Sequence, residues 1–185
     1  MSNKETCYLC GVEELRIIRT KLRHDIKRNV LECRECGIVY LEPMKQDLKD
    51  FYTEEYRKLY TPVIGRALTS QELFETCLPF QGDRIDRLKH VLGSTKKLLD
   101  VGCASGAFLH AAKSHVMECI GIELNLDNAR FVEETLGIKV YTELIEEVDL
   151  PSEYFDIATA FQVLEHVDDP VKFLAGIYKL LKPGG

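Results

Sequence analysis

The chain has 185 residues and a mass of 21.1 kDa, the size of one domain with a small appendage. Its 45% hydrophobic and 29% charged content excludes disordered, collagen-like and fibrous classes. A net charge of −6 and a pI near 5.4 argue against a protein that coats nucleic acid or anionic membrane. No apolar run approaches the roughly 20 residues needed to cross a bilayer. MSNKETCYLC has no apolar signal core, so a cytoplasmic location is expected.

Residues 1–42 are punctuated by cysteine. Cys7-Tyr-Leu-Cys10-Gly and Cys33-Arg-Glu-Cys36-Gly are two knuckles of one form. Each brings two thiols to one point, and the following glycine permits the tight turn. Four thiolates close a tetrahedral shell, so Cys7, Cys10, Cys33 and Cys36 are expected to hold one structural Zn2+. A redox role would need one C-x-x-C beside a βαβ unit, and both motifs lie outside it. The 22 intervening residues alternate apolar and charged and predict a hairpin platform. Residues 11–36 carry seven basic and five acidic side chains, a small surplus that favours a structural module shaping a substrate cleft over a nucleic-acid grip.

Residues 43–93 predict a helical linker or lid, in the segments MKQDLKDFYTEEYRKLY, LTSQELFETC and GDRIDRLKHVLG. Gly65, Pro79, Gly82 and Gly93 punctuate them. Tyr52, Tyr56 and Tyr60 recur at helical spacing, as a packing stripe or an aromatic wall over an acceptor.

From 94 to 185 strands alternate with helices. KKLLDV, ECIGIEL, IKVY and FDIATAFQ predict strands; ASGAFLHAAKSHV, NLDNARFVEETLG and VKFLAGIYKLLK predict helices. Asn125 is the expected N-cap of the second of these helices, Gly137 its stop, and Pro170 the first position of the third. The alternation predicts an α/β fold with a doubly wound, Rossmann-like parallel sheet.

LLDVGCASGAFL is the most informative stretch. A buried strand ends in Asp100, and a turn carrying Gly102 and Gly106 leads into a helix. Such a turn lets a ligand approach the backbone. The next strand ends at Glu123, where a carboxylate can accept both hydroxyls of a ribose. Together these indicate an adenosine-containing cofactor. The dinucleotide fingerprint would need glycine where this chain has Ala104, and Asp100 suits a cationic ligand better than a pyrophosphate.

At these residues the chain resembles the class I S-adenosylmethionine-dependent methyltransferases. DVGCASG matches their glycine loop with Ala104 as the one departure, and ECIGIELN, YFDIATAFQVLEHVDDP and LLKPGG match later motifs. ECGIVYLEPM and DFYTEEYRKLY resemble a subgroup, methyltransferase type 11/12-like, with a zinc ribbon ahead of the fold. The resemblance implies S-adenosyl-L-methionine held by Asp100, Gly102, Cys103, Ala104, Gly106, Glu123 and Leu124. It places Glu143 and Leu144 beside the adenine, after Tyr141 and Thr142, and Gln162 at the cofactor's edge. It implies a small-molecule acceptor, such as a sugar or a natural-product or polysaccharide precursor.

Gln162 to His166 follow the fourth strand at the carboxyl edge of the sheet. His166 can accept a proton from an acceptor, with Glu165 orienting it or binding substrate; both can instead serve the turn before Asp169-Pro170. Cys103 and Cys119 read as packing residues. Alternative readings are an RNA methyltransferase gripping RNA through the ribbon, and a noncatalytic binding scaffold; acidic charge counts against the first. The resemblance also implies a seven-stranded sheet of which this chain holds the 3-2-1-4 half. A C-terminally truncated, weakly active chain is then expected, with Ile157 and Phe161 stripped of cover and self-association through an exposed fourth strand.

Overall fold

The computed structural model describes residues 6–22, 26–42 and 68–185. The segment MKQDLKDFYTEEYRKLY, Gly65 and the stripe Tyr52, Tyr56 and Tyr60 lie outside them.

A three-stranded antiparallel sheet comes first, in the order β1 (Leu15–Lys21), β2 (Lys27–Cys33), β3 (Val39–Leu41). The expected hairpin is present, and β3 adds a third strand that pairs Leu31 with Tyr40. Each knuckle ends on a glycine at positive φ, Gly11 at 75° and Gly37 at 73°, where a side chain would strain the turn. The Gly11 and Gly37 amides donate to the carbonyls of Cys7 and Cys33 at 2.8 and 3.0 Å.

Two short helices follow, α1 (Ser70–Cys77) and α2 (Gln81–Leu88), joined by a single tight turn at Leu78–Phe80 that contains Pro79. Thr69 and Glu72 cap α1 reciprocally, each bonding the other's backbone N–H. Gly82 lies inside α2 and does not interrupt it, a correction to its expected role as punctuation.

The four-stranded sheet is wholly parallel, in the order β6 (Val140–Tyr141), β5 (Glu118–Ile122), β4 (Lys97–Val101), β7 (Ile157–Thr159). That is the expected 3-2-1-4 sequence. The crossovers carry α3 (Ala107–Ala112) and α4 (Leu126–Phe131), the latter continued by a wider helical turn over Val132–Leu136; α5 (Pro170–Leu180) follows β7. Asn125 caps α4 by accepting from the Asn128 amide at 3.0 Å, and Gly137 stops the run at φ 65°. Asp169 accepts from the Lys172 amide and Pro170 opens α5.

One face of the sheet packs Leu98, Phe108, Leu109, Val132 and Val140, with Ile85 and Leu88 of α2 added. The other packs Leu99, Ile120, Ile122, Phe155 and Phe173. Burial on both faces is what parallel strands require. β7 is one of the two edge strands of the four, yet its side chains are not stripped of cover. Ile157 is buried in the first cluster. Phe161 meets Phe108 edge-on at 4.9 Å and carries the Arg84 guanidinium over its ring at 4.2 Å. The expectation of bare apolar groups at this edge is therefore corrected: the helices ahead of the sheet and α3 provide the cover. At the base of β7, Asp156 accepts from the Lys97 amide at 2.9 Å and from Lys182 at 2.8 Å, and Leu181 bridges to Phe155, which ties the post-helix turn to the sheet.

Candidate functional site

The site is built where β4 ends. Gly102 has φ 74° and Gly106 φ 75°, a region open to glycine at little cost. Space is as restrictive as the dihedral. A Cβ on Gly102 would lie 2.5 Å from Val163 Cγ2, and one on Gly106 would lie 2.7 Å from Val132 Cγ2. Each glycine thus lets a neighbouring element close on the turn. Ala104 takes the same left-handed conformation at φ 49°, although it carries a Cβ.

The turn's amides are engaged by the protein itself. Gly102 and Cys103 both donate to the Ile122 carbonyl, at 2.7 and 3.1 Å. The Ala104 amide donates to Glu123 Oε2 at 2.8 Å, and the Asn125 amide to Glu123 Oε1 at 2.7 Å. These N–H groups fix the loop and one carboxylate. The two amides orient the Glu123 carboxylate at the carboxyl end of β5. Leu124 follows it, half-buried, on the same edge.

Asp100 is buried beneath the turn, and Thr159 donates to its Oδ1 at 2.7 Å. Burial pushes its carboxyl up from 3.8 to about 7; the Thr159 hydroxyl and the Arg84 charge pull the other way, and the Glu123 charge adds to the rise. Cys103 is buried with its Sγ where a Cβ on Gly121 would sit, and burial raises its thiol well above the usual range. It packs and does not react.

Across the edge, Gln162 is exposed in a left-handed conformation at φ 57°, and Val163 covers Gly102. A single helical turn, Leu164–His166, follows. His166 is half-buried; burial lowers it from the ordinary histidine value, the Glu165 charge raises it and the Arg28 charge lowers it. Glu165 is exposed beside it. Glu143 is exposed after β6 and accepts from the Thr142 amide at 3.0 Å, with Leu144 next to it. Arg84 was not foreseen. It reaches from α2 to Phe161 and the neighbourhood of Asp100, and nothing in GDRIDRLKH distinguishes it from its charged neighbours.

In the ribbon, Cys7, Cys10, Cys33 and Cys36 converge, their Sγ atoms all within 4.8 Å of one another. Cys7 lies 3.7 Å from Cys36, and Cys10 lies 3.6 Å from Cys33. Zn–S bonds of about 2.3 Å at tetrahedral angles put sulfurs about 3.8 Å apart, so the quartet fits zinc.

Residues 71–185, well over half of the chain, match the family model described as "Methyltransferase domain". The chain belongs to that family. It is 32% identical over 114 residues to the ubiquinone biosynthesis O-methyltransferase of Pseudomonas putida strain GB-1, covering 58% of this chain and 48% of the relative. It is 36% identical over 96 residues to the protein of the same name from Thiobacillus denitrificans, covering 49% and 41%. The chain thus spans about half the length of the curated relatives it matches. Among solved structures it superposes on an S-adenosylmethionine-bound amino pentose methyltransferase from Micromonospora echinaspora with a TM-score of 0.51 at 24% identity, covering 58% of this chain and 48% of that one. A methyltransferase from Aquifex aeolicus superposes with a TM-score of 0.50 at 20% identity, covering 55% and 59%. These likenesses carry the fold: a class I, Rossmann-like sheet.

The state of Asp100 gives this methyltransferase-family chain a signature in pH. Ionising the buried carboxyl opposes folding. That cost is absent below the unfolded-chain value near 4, grows as pH rises, and is complete above the folded value of about 7. Asp100→Asn, which can still accept from Thr159, removes it. The stability difference in favour of Asp100→Asn is expected to widen by about 1.4 kcal/mol per pH unit between pH 4 and 7 and then level off. Urea midpoints across that range measure it; a difference independent of pH would show that Asp100 is not held in this way.

Proposed function

We propose that the chain binds S-adenosyl-L-methionine at the glycine turn and is the cofactor half of an enzyme that methylates a small-molecule acceptor. The observation that carries this reading is the Glu123 carboxylate, clamped by two amides beside the turn at the end of β5, where a carboxylate can accept the hydroxyls of a ribose. Gly102, Cys103, Ala104 and Gly106 supply a close backbone wall, Leu124, Glu143 and Leu144 the adenine side, and Gln162 the opposite rim. Asp100 and Arg84 are electrostatically coupled, and the pair would suit a zwitterion, the carboxyl group balancing an ammonium and the guanidinium a carboxylate. An ammonium there would also favour the ionised form of Asp100.

When bound, S-adenosyl-L-methionine supplies a methyl group on a sulfonium centre, open to in-line displacement by a lone pair. The chain's own contribution is orientation plus one proton transfer. His166, whose charged form burial disfavours, accepts the proton that a hydroxyl acceptor loses, and Glu165 steadies the resulting imidazolium. The names of the curated relatives favour an oxygen acceptor for this chain. The exposed acidic rim and the absence of a large basic surplus in the ribbon favour a small molecule over RNA.

Glu123→Ala is expected to weaken binding of S-adenosyl-L-methionine at least tenfold by calorimetry, about 1.4 kcal/mol. An affinity equal to that of the parent chain would remove the site. The Cys7, Cys10, Cys33 and Cys36 quartet is expected to hold one zinc per chain by elemental analysis, with each thiolate as a ligand and no open position. A folded, unchelated preparation free of zinc would contradict it.

A further inference from the structure

The zinc-ribbon module and the methyltransferase sheet meet at a cleft of about 460 Å³ that the cofactor site does not use. Tyr8, Tyr40 and Leu41 of the ribbon form one wall; Leu164, Glu165 and Val167, after β7, form the other. The volume lies in the range of sites that take small molecules, and the composition is that of such a site, mostly apolar with a few polar groups. Tyr8 and Tyr40 pack edge to face at 4.6 Å and 73°, a rigid aromatic corner.

The position of the cleft ties it to the reaction. Val163 covers Gly102, so Leu164 and Glu165 follow directly on the residue that closes the glycine turn. The ribbon is held against this segment by Arg28, whose Nε donates to the Glu42 carbonyl at 2.7 Å and whose Nη2 lies 3.7 Å from Asp168 Oδ1. That contact offsets the Asp168 charge. No Arg or Lys forms an ion pair with Glu165 among the described residues; its charge acts on the adjacent His166, and its carboxylate is exposed on the cleft wall. The lining therefore has an aromatic corner at one side and a negative charge at the other.

We propose that this cleft is the acceptor pocket and that it selects a ring compound bearing an ammonium group, with the ring on the Tyr8–Tyr40 corner and the cation at Glu165. A carboxylated ring of equal size is disfavoured by the same charge. This rests on the methyltransferase reading, and the two can fail separately.

Tyramine and 4-hydroxyphenylacetate carry the same phenol ring on opposite charges, so they isolate the charge term. Titrations of each into the zinc-loaded chain, with S-adenosylhomocysteine present and followed by saturation-transfer NMR, are expected to show tyramine bound about five-fold more tightly, the size of one exposed ion pair. The preference should shrink as salt is raised. Glu165→Gln is exposed and should fold normally; it is expected to bring the ratio close to one. Equal binding of the two compounds, binding of neither, a preference for the anion, or a preference that survives Glu165→Gln overturns the assignment. Calorimetry with S-adenosylhomocysteine on the parent chain separates the two readings. A tyramine preference without cofactor binding would reject the cofactor site and leave the charge-selective cleft, whereas cofactor binding without the preference would reject the cleft alone.

Discussion

Everything at this site depends on how closely β5, β7 and α4 can approach the turn between β4 and α3. Gly102 and Gly106 sit in left-handed conformations, and a methyl group at either would collide with a valine from another element. Removing that freedom would push Val163 or the Val132 turn outward. The first displacement would move the segment that carries Glu165 and His166; the second would open the packing of α4 against the sheet. The same closeness lets the Ile122 carbonyl take two amides from the turn, and lets Glu123 take a third. The glycine loop and the sheet edge are thereby one rigid unit, as precise recognition requires.

Charge is arranged around that unit in two layers. Beneath the turn, burial holds the Asp100 carboxyl well above its ordinary range, against the opposing pull of Thr159 and Arg84. Above it, Glu123 and His166 are half-buried at the carboxyl edge of the sheet, and Glu165 is exposed. The ribbon contributes to the second layer through Arg28 and its two tyrosines. A module this small has little core of its own, and here its apolar side finds a neighbour in the segment after β7.

Much of this was legible in the sequence because buried parallel strands and glycine turns leave strong local marks. KLLDV and ECIGI are mostly apolar, and their order in the sheet follows the expected 3-2-1-4. Asn125, Gly137 and Pro170 mark helix ends by mechanisms that act within one turn. The four cysteines announce themselves by spacing. What was missed is tertiary. The helix expected over 104–116 spans only Ala107–Ala112, because residues 102–106 are consumed by the turn. β3 was overlooked because three residues of GIVYLEP carry no periodicity of their own. Arg84 has no local signal, and the cover over Ile157 and Phe161 comes from elements distant in sequence. The engagement of the turn's amides by Ile122 and Glu123 is likewise a property of the closed sheet and not of the glycine pattern.

The central claim is that the glycine turn and Glu123 hold the adenosine of S-adenosyl-L-methionine. Amide chemical shifts of the zinc-loaded chain during titration with S-adenosylhomocysteine test it most directly, because the turn's amides are bonded to the groups that would respond. The largest changes are predicted at Ala104, Gly106, Leu124 and Asn125, with the ribbon's β1 and β2 unmoved. Saturating cofactor that leaves those four amides in place, or that shifts the ribbon instead, would contradict the account.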